Sequence, residues 1–196
     1  MQRYAITDGA ASFSPGSKPV EALAARCGEL ARDGVEYILV REKQLSAGDL
    51  AVVCREILGA VRASRAGTNV LVAGRVDVAA AVGADGVNLS GSPSELTALQ
   101  VRQVLPGAFV SVSCHSASDV VKAREIGANA VLFGPVFGKT VDGKEVVPGV
   151  GLHALREACG VGMPVFALGG VSVGNARECV EAGAGGVAGI RMFFGG

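Results

Sequence analysis

The chain has 196 residues, enough to bury a real core, and 49% are hydrophobic against 18% charged, which excludes a disordered chain. The formal net charge is zero, so the charge balance points to neither nucleic acid nor an anionic membrane as a partner. No apolar run reaches the roughly 18 residues of a membrane-spanning helix, the first residues lack a signal-peptide pattern, and five scattered cysteines without a CxxC suggest buried thiols in a reducing cytoplasm.

Short β-branched runs alternate with longer stretches of helical period. "RYAIT" (3–7) precedes a helix from near Pro19 to Asp33-Gly34, and "VEYILVR" (35–41) precedes a helix that Ser46 caps, with Asp49 at capping-box spacing. "NVLVA" (69–73) leads into "VDVAAAVGA". "GVNL" (86–89) leads into a helix capped by Ser92 or Ser94, with Pro93 in its first turn. "AFVSVS" (108–113) and "NAVLFG" (129–134) follow, the second running into a long irregular, glycine-rich loop (138–150) with Lys139, Thr140, Asp142, Lys144 and Glu145, read as either a lid or a passive connection. After the helix "GLHALREAC", "PVFALGG" (164–170) and "GVAGI" (186–190) complete eight strands, and only "RMFFGG" remains.

The strands are apolar on both faces, as in a parallel sheet covered by helices. "VGADGVNL", "IGANAVLF" and "AGAGGVAG" repeat one pattern, a helix end, a Gly-Ala turn and a buried strand. The expectation is an α/β fold, a single small (β/α)8 TIM barrel over residues 1–196 with a short or missing final helix. An open doubly wound sheet is the alternative, but "TDGAASFSPGS" after the first strand has no GxGxxG. The truncated end would leave Met192, Phe193 and Phe194 as an exposed apolar side, and hence a homodimer.

In such barrels the chemistry sits at the C-terminal ends of the strands. There the sequence places Thr7 and Asp8; Arg41, Glu42 and Lys43; Gly74 and Arg75; Asn88 and Ser90; Ser113, His115 and Ser116; Gly169 and Gly170; and Gly189, Ile190 and Arg191. Arg41 and Lys43 suit an anionic substrate. The glycines after the last two strands suit phosphate, with Arg191 able to add a bidentate contact. His115 reads equally as an acid/base or as a residue packed at a helix start. Cys114 beside it is given a minor chance of a role, and His153 is expected on the surface of an outer helix. No metal cluster is visible.

The pieces "YAITD", "ILVREK", "GRVDVAAAVGADGVNL", "VSCHSASDVVKA", "AVLFGPVF", "PVFALGGVSVGNA" and "EAGAGGVAG" occur in order over nearly the whole chain. Together they resemble the superfamily of thiamine-phosphate synthases and TenI-type thiazole tautomerases. That resemblance implies a small barrel binding a phosphorylated thiazole. The synthases carry magnesium-binding carboxylates after strands three and four, where this chain has Ala73-Gly74 and about Pro93, with Glu95 nearby. On that ground the tautomerase is the leading expectation. His115 is its proton-transfer residue, Arg41, Lys43, Gly74, Ser113, Gly169, Gly170, Gly189, Ile190 and Arg191 hold substrate and phosphate, and no cofactor is needed. The alternatives are a synthase, which would need Mg2+, and a non-catalytic ligand-binding relative.

Overall fold

The computed structural model describes residues 1–7, 18–92, 94–141 and 144–195. In chain order the elements are β1 (Gln2–Ile6), α1 (Lys18–Arg32), β2 (Tyr37–Val40), α2 (Ala47–Ala63), β3 (Asn69–Ala73), α3 (Val76–Val82), β4 (Gly86–Leu89), α4 (Ala98–Val104) and β5 (Phe109–Cys114). There follow α5 (Ala117–Glu125), β6 (Ala130–Phe133), β7 (Lys139–Val141), β8 (Lys144–Val147), α6 (Gly151–Cys159), β9 (Val165–Ala167), α7 (Ala176–Glu181), β10 (Gly186–Gly189) and α8 (Arg191–Phe194). Eight parallel strands close in the order β1-β10-β9-β6-β5-β4-β3-β2, which is the expected (β/α)8 barrel.

Alternation along each strand creates two cores. Residues of one parity, among them Leu39, Leu71, Leu132 and Phe166, fill the barrel, and those of the other pack against the helices. Low in the barrel, Tyr4, Tyr37, Phe109 and Phe166 form an aromatic plug with centroid separations of 4.7–5.4 Å. Gly186 makes room for it: a Cβ there would stand 2.8 Å from the Phe166 ring. Outside, α2 shows why a helix forms. Ser46 accepts the Asp49 N–H as N-cap, and Leu50, Val53, Cys54, Ile57, Leu58 and Val61 recur on one buried face. Burying that face contributes on the order of 10 kcal/mol before chain entropy is subtracted.

Three local expectations need correction. The N-cap of α4 is Thr97, not Ser92 or Ser94: Thr97 and Gln100 form a reciprocal capping box, whereas Ser92 and Ser94 bond to each other in the preceding turn. The 138–150 loop contains an antiparallel hairpin, β7 with β8; Asp142 lies outside the described residues, as do the side chains of Lys139, Thr140, Lys144 and Glu145. The last helix is short as expected, but its apolar residues turn inward. Phe193 is only 6% exposed, and Arg26 of α1 donates to its carbonyl through Nε and Nη2 at 3.1 and 3.0 Å. Met192 and Phe194 pack partly against the same core. His153 is exposed on α6, 3.8 Å from Glu157. Among the described residues no helix is long and apolar enough to cross a membrane.

Candidate active site

The strand ends bring most of the anticipated residues to one rim. Thr7, fully buried after β1, organises the β2 end. Its Oγ1 accepts the Arg41 backbone N–H at 3.0 Å and donates to Glu42 Oε1 at 2.5 Å. Glu42 is buried there at the edge of the rim, and its charge helps raise the Cys27 and Cys54 thiols after burial has done most of the work. Arg41, on the inward parity with Tyr37 and Leu39, and the exposed Lys43 are left at the mouth. Glu42, Lys43, Ala73, Gly74 and Arg75 are among the residues lining a crevice of about 290 Å3 between the β2 and β3 ends. A second crevice, on the other side of Arg75, includes Glu95. The Arg75 guanidinium forms a two-point pair with Asp77 at 2.9 and 2.6 Å, which holds the Asp77 carboxyl down at about 2. Asp8 lies outside the described residues.

At the β5 end, Ser116 and Asp119 form a capping box on α5, a device that the sequence "HSASD" spells and the strand-end reading overlooked. Asp119 Oδ2 accepts both the His115 and the Ser116 N–H, at 3.2 and 3.0 Å. Burial works to raise the Asp119 carboxyl, but the Ser116 hydroxyl, these two N–H groups and Lys122 outweigh it and hold it below the usual range. The His115 side chain is fixed at its other end. Its Nδ1 lies 2.5 Å from the Gly134 carbonyl, which can only accept, so Nδ1 carries a proton and in the neutral ring Nε2 holds the free lone pair. Cys114 is buried and pushed up to about 12 by that burial and by Asp119, so it supplies no thiolate.

A second feature escaped sequence reasoning because it lies inside the barrel. The Tyr4 hydroxyl is 2.9 Å from Ser111 Oγ, Ser111 Oγ donates to Asn88 Oδ1 at 2.8 Å, and Asn88 Nδ2 donates to Ser113 Oγ at 3.1 Å. Tyr4, Ser111 and Asn88 are buried, and Ser113 emerges at the mouth two residues before His115.

On the opposite arc, Gly169 and Gly170 have φ of +91° and +67°. A Cβ on Gly169 would stand 2.4 Å from Pro135 Cα, and one on Gly170 2.8 Å from the Gly138 carbonyl oxygen. The pair therefore serves close packing of the segment after β6, whatever else its backbone binds. Gly189 ends β10, Ile190 points into the barrel, and Arg191 is exposed at the start of α8.

Comparison with known proteins agrees with the fold. A family model described as thiamine monophosphate synthase matches residues 4–193. A thiamine-phosphate synthase of Methanoculleus marisnigri is 36% identical over 170 residues, covering 84% of this chain and 77% of its own length. One of Methanoregula boonei is 34% identical over 197 residues, covering all of this chain and 86% of its own. Among solved structures, a thiamine phosphate pyrophosphorylase from Pyrococcus furiosus superposes with a TM-score of 0.79 at 28% identity, over 100% of this chain and 88% of that one. These names overturn the isomerase expectation. The relatives are synthases, which are transferases, and the tautomerase reading is withdrawn. Similarity along the whole chain outweighs the two absent carboxylates.

Proposed function

The chain belongs to the thiamine monophosphate synthase family, and from that premise we propose that it joins a pyrimidine carried as its diphosphate to a thiazole phosphate, releasing diphosphate. The observation that carries this reading is the cluster of cations at one rim: Arg41 at the end of β2, beside a crevice of about 290 Å3 that Lys43 and Arg75 line together with the buried Glu42. A leaving diphosphate gathers negative charge as its carbon–oxygen bond breaks, and fixed cations beside it lower that barrier. The thiazole phosphate is placed on the backbone of Gly169, Gly170, Gly189 and Ile190 with Arg191, and Ser113 and His115 face the space between, with Gly74 leaving room for the diphosphate.

A diphosphate commonly takes a divalent ion. The described residues do not fit one. No group of three or more His, Cys, Asp or Glu among them would hold a metal. Gly74 offers no side chain, Glu95 Oε2 accepts the Ser90 N–H at 2.6 Å, and Glu42, though it lines the crevice, has Oε1 engaged by the Thr7 hydroxyl. In this proposal charge neutralisation falls to the rim cations.

The test offers the purified chain both substrates, with magnesium and separately with a chelator, and follows thiamine phosphate and diphosphate. Product in both tubes is expected, and Lys43→Ala lowers kcat/KM at least tenfold. Product only with magnesium would overturn neutralisation by the rim cations alone. No product in either tube refutes the synthase reading. A homodimer in the cytoplasm completes the proposal. A monomer mass by light scattering at micromolar concentration would sink the first part, and five free cysteines, four of them buried, support the second.

A further inference from the structure

The hydrogen-bond chain from Tyr4 to Ser113 has a direction, and burial sets it. No second acceptor stands beside the Tyr4 hydroxyl among the described residues, and burial pushes its pKa upward, so the phenol keeps its proton. That proton must go to Ser111 Oγ. Ser111 must then donate to Asn88 Oδ1, which turns the amide so that Nδ2 donates to Ser113 Oγ. Run in reverse, Ser111 would donate to Tyr4, and the phenol proton would be stranded in the barrel core, a loss of about 1–3 kcal/mol. In the favoured direction Ser113 has already accepted from within, and its own proton is directed away from Asn88.

We propose that Tyr4, Ser111 and Asn88 are positioning residues that turn the Ser113 proton toward the mouth, so the β5 end offers a pre-oriented donor to a lone pair of the ligand. The inference rests on the synthase reading only for the identity of the ligand. A ligand atom that can accept a hydrogen bond is favoured at that point, because the Ser113 proton is already turned toward it.

Two measurements test it. Neutron diffraction from the ligand-free, deuterium-exchanged protein should place the Ser113 deuteron toward the mouth; a deuteron directed at Asn88 overturns the proposal whatever the protein binds. Calorimetric titration with the pyrimidine diphosphate and with the thiazole phosphate then compares Ser113→Ala, Ser111→Ala and the double variant. Ser113→Ala should weaken one of the two ligands about 5- to 20-fold. Ser111→Ala removes the reason for Asn88 to keep its oxygen inward, so it should weaken the same ligand by a smaller factor. The double variant should match Ser113→Ala alone. Additive losses, or a loss on the other ligand, overturn the proposal, as does an unaltered Ser111→Ala. Should neither ligand bind the unmodified protein, the synthase reading falls while the neutron map still decides the chain's direction.

Discussion

Replacing Thr7 by Val tests how the rim is held. The two side chains have nearly the same shape, so the perturbation is the hydroxyl alone. Thr7 is fully buried, and its oxygen serves two partners, the Arg41 N–H at 3.0 Å and Glu42 Oε1 at 2.5 Å. A neutral hydrogen bond contributes about 1 kcal/mol and one to a charged group about 1.5–3 kcal/mol, and a buried N–H left unmade adds to the loss. The expected destabilisation is about 2–4 kcal/mol. In a domain of this size that lowers Tm by roughly 4–16 °C. Urea unfolding followed by circular dichroism measures it. The same variant should raise KM for the diphosphate substrate, since Arg41 loses its backbone anchor. A loss under about 0.5 kcal/mol with unchanged KM would refute the reasoning, because Thr7 would then not be what fixes the β2 end.

Gly169→Ala should cost about 2–4 kcal/mol in urea unfolding, because its Cβ would meet Pro135 at 2.4 Å and its φ is +91°; a neutral result would mean that the 134–138 segment yields freely. Ser116→Ala should lose about 1 kcal/mol with the α5 cap and loosen the backbone at His115, seen as faster amide exchange at 115–119. Stability should fall as pH rises above about 9. The unfolded thiols ionise there, near 9.0, while in the folded chain Cys27, Cys54 and Cys114 are held at about 12 and Cys179 at about 11. Above pH 9 the folded form therefore binds more protons than the unfolded one, and unfolding gains. Denaturation midpoints that stay level from pH 8 to pH 10.5 would contradict this.

The barrel was legible because its signal is periodic. Eight doubly apolar strands and the repeated Gly-Ala turns leave few other closures, and the Ser46 cap follows from local spacing alone. The rim was legible because position past a strand end needs no side-chain geometry. What stayed hidden depends on partners far apart in sequence. Glu42 reads as one of three adjacent charges, and only the structure shows that it is buried and bound to the Thr7 hydroxyl, 35 residues away. The Tyr4–Ser111 contact spans 107 residues, so nothing local marks either as part of a polar chain. At 92–97 the sequence points to Ser92 or Ser94 as the cap, and Thr97 is used instead; Glu95 stands at capping-box spacing from Ser92 just as Gln100 does from Thr97, so spacing alone does not separate them. The activity was misread for another reason: absent carboxylates speak to how charge is neutralised, and that is not the same as which bond is made.

The aromatic plug has a consequence for access. With Tyr4, Tyr37, Phe109 and Phe166 packed across the lower barrel, a ligand approaches the rim from the strand-end face. On the synthase reading both substrates share that approach side by side, so the first to bind crowds the path of the second.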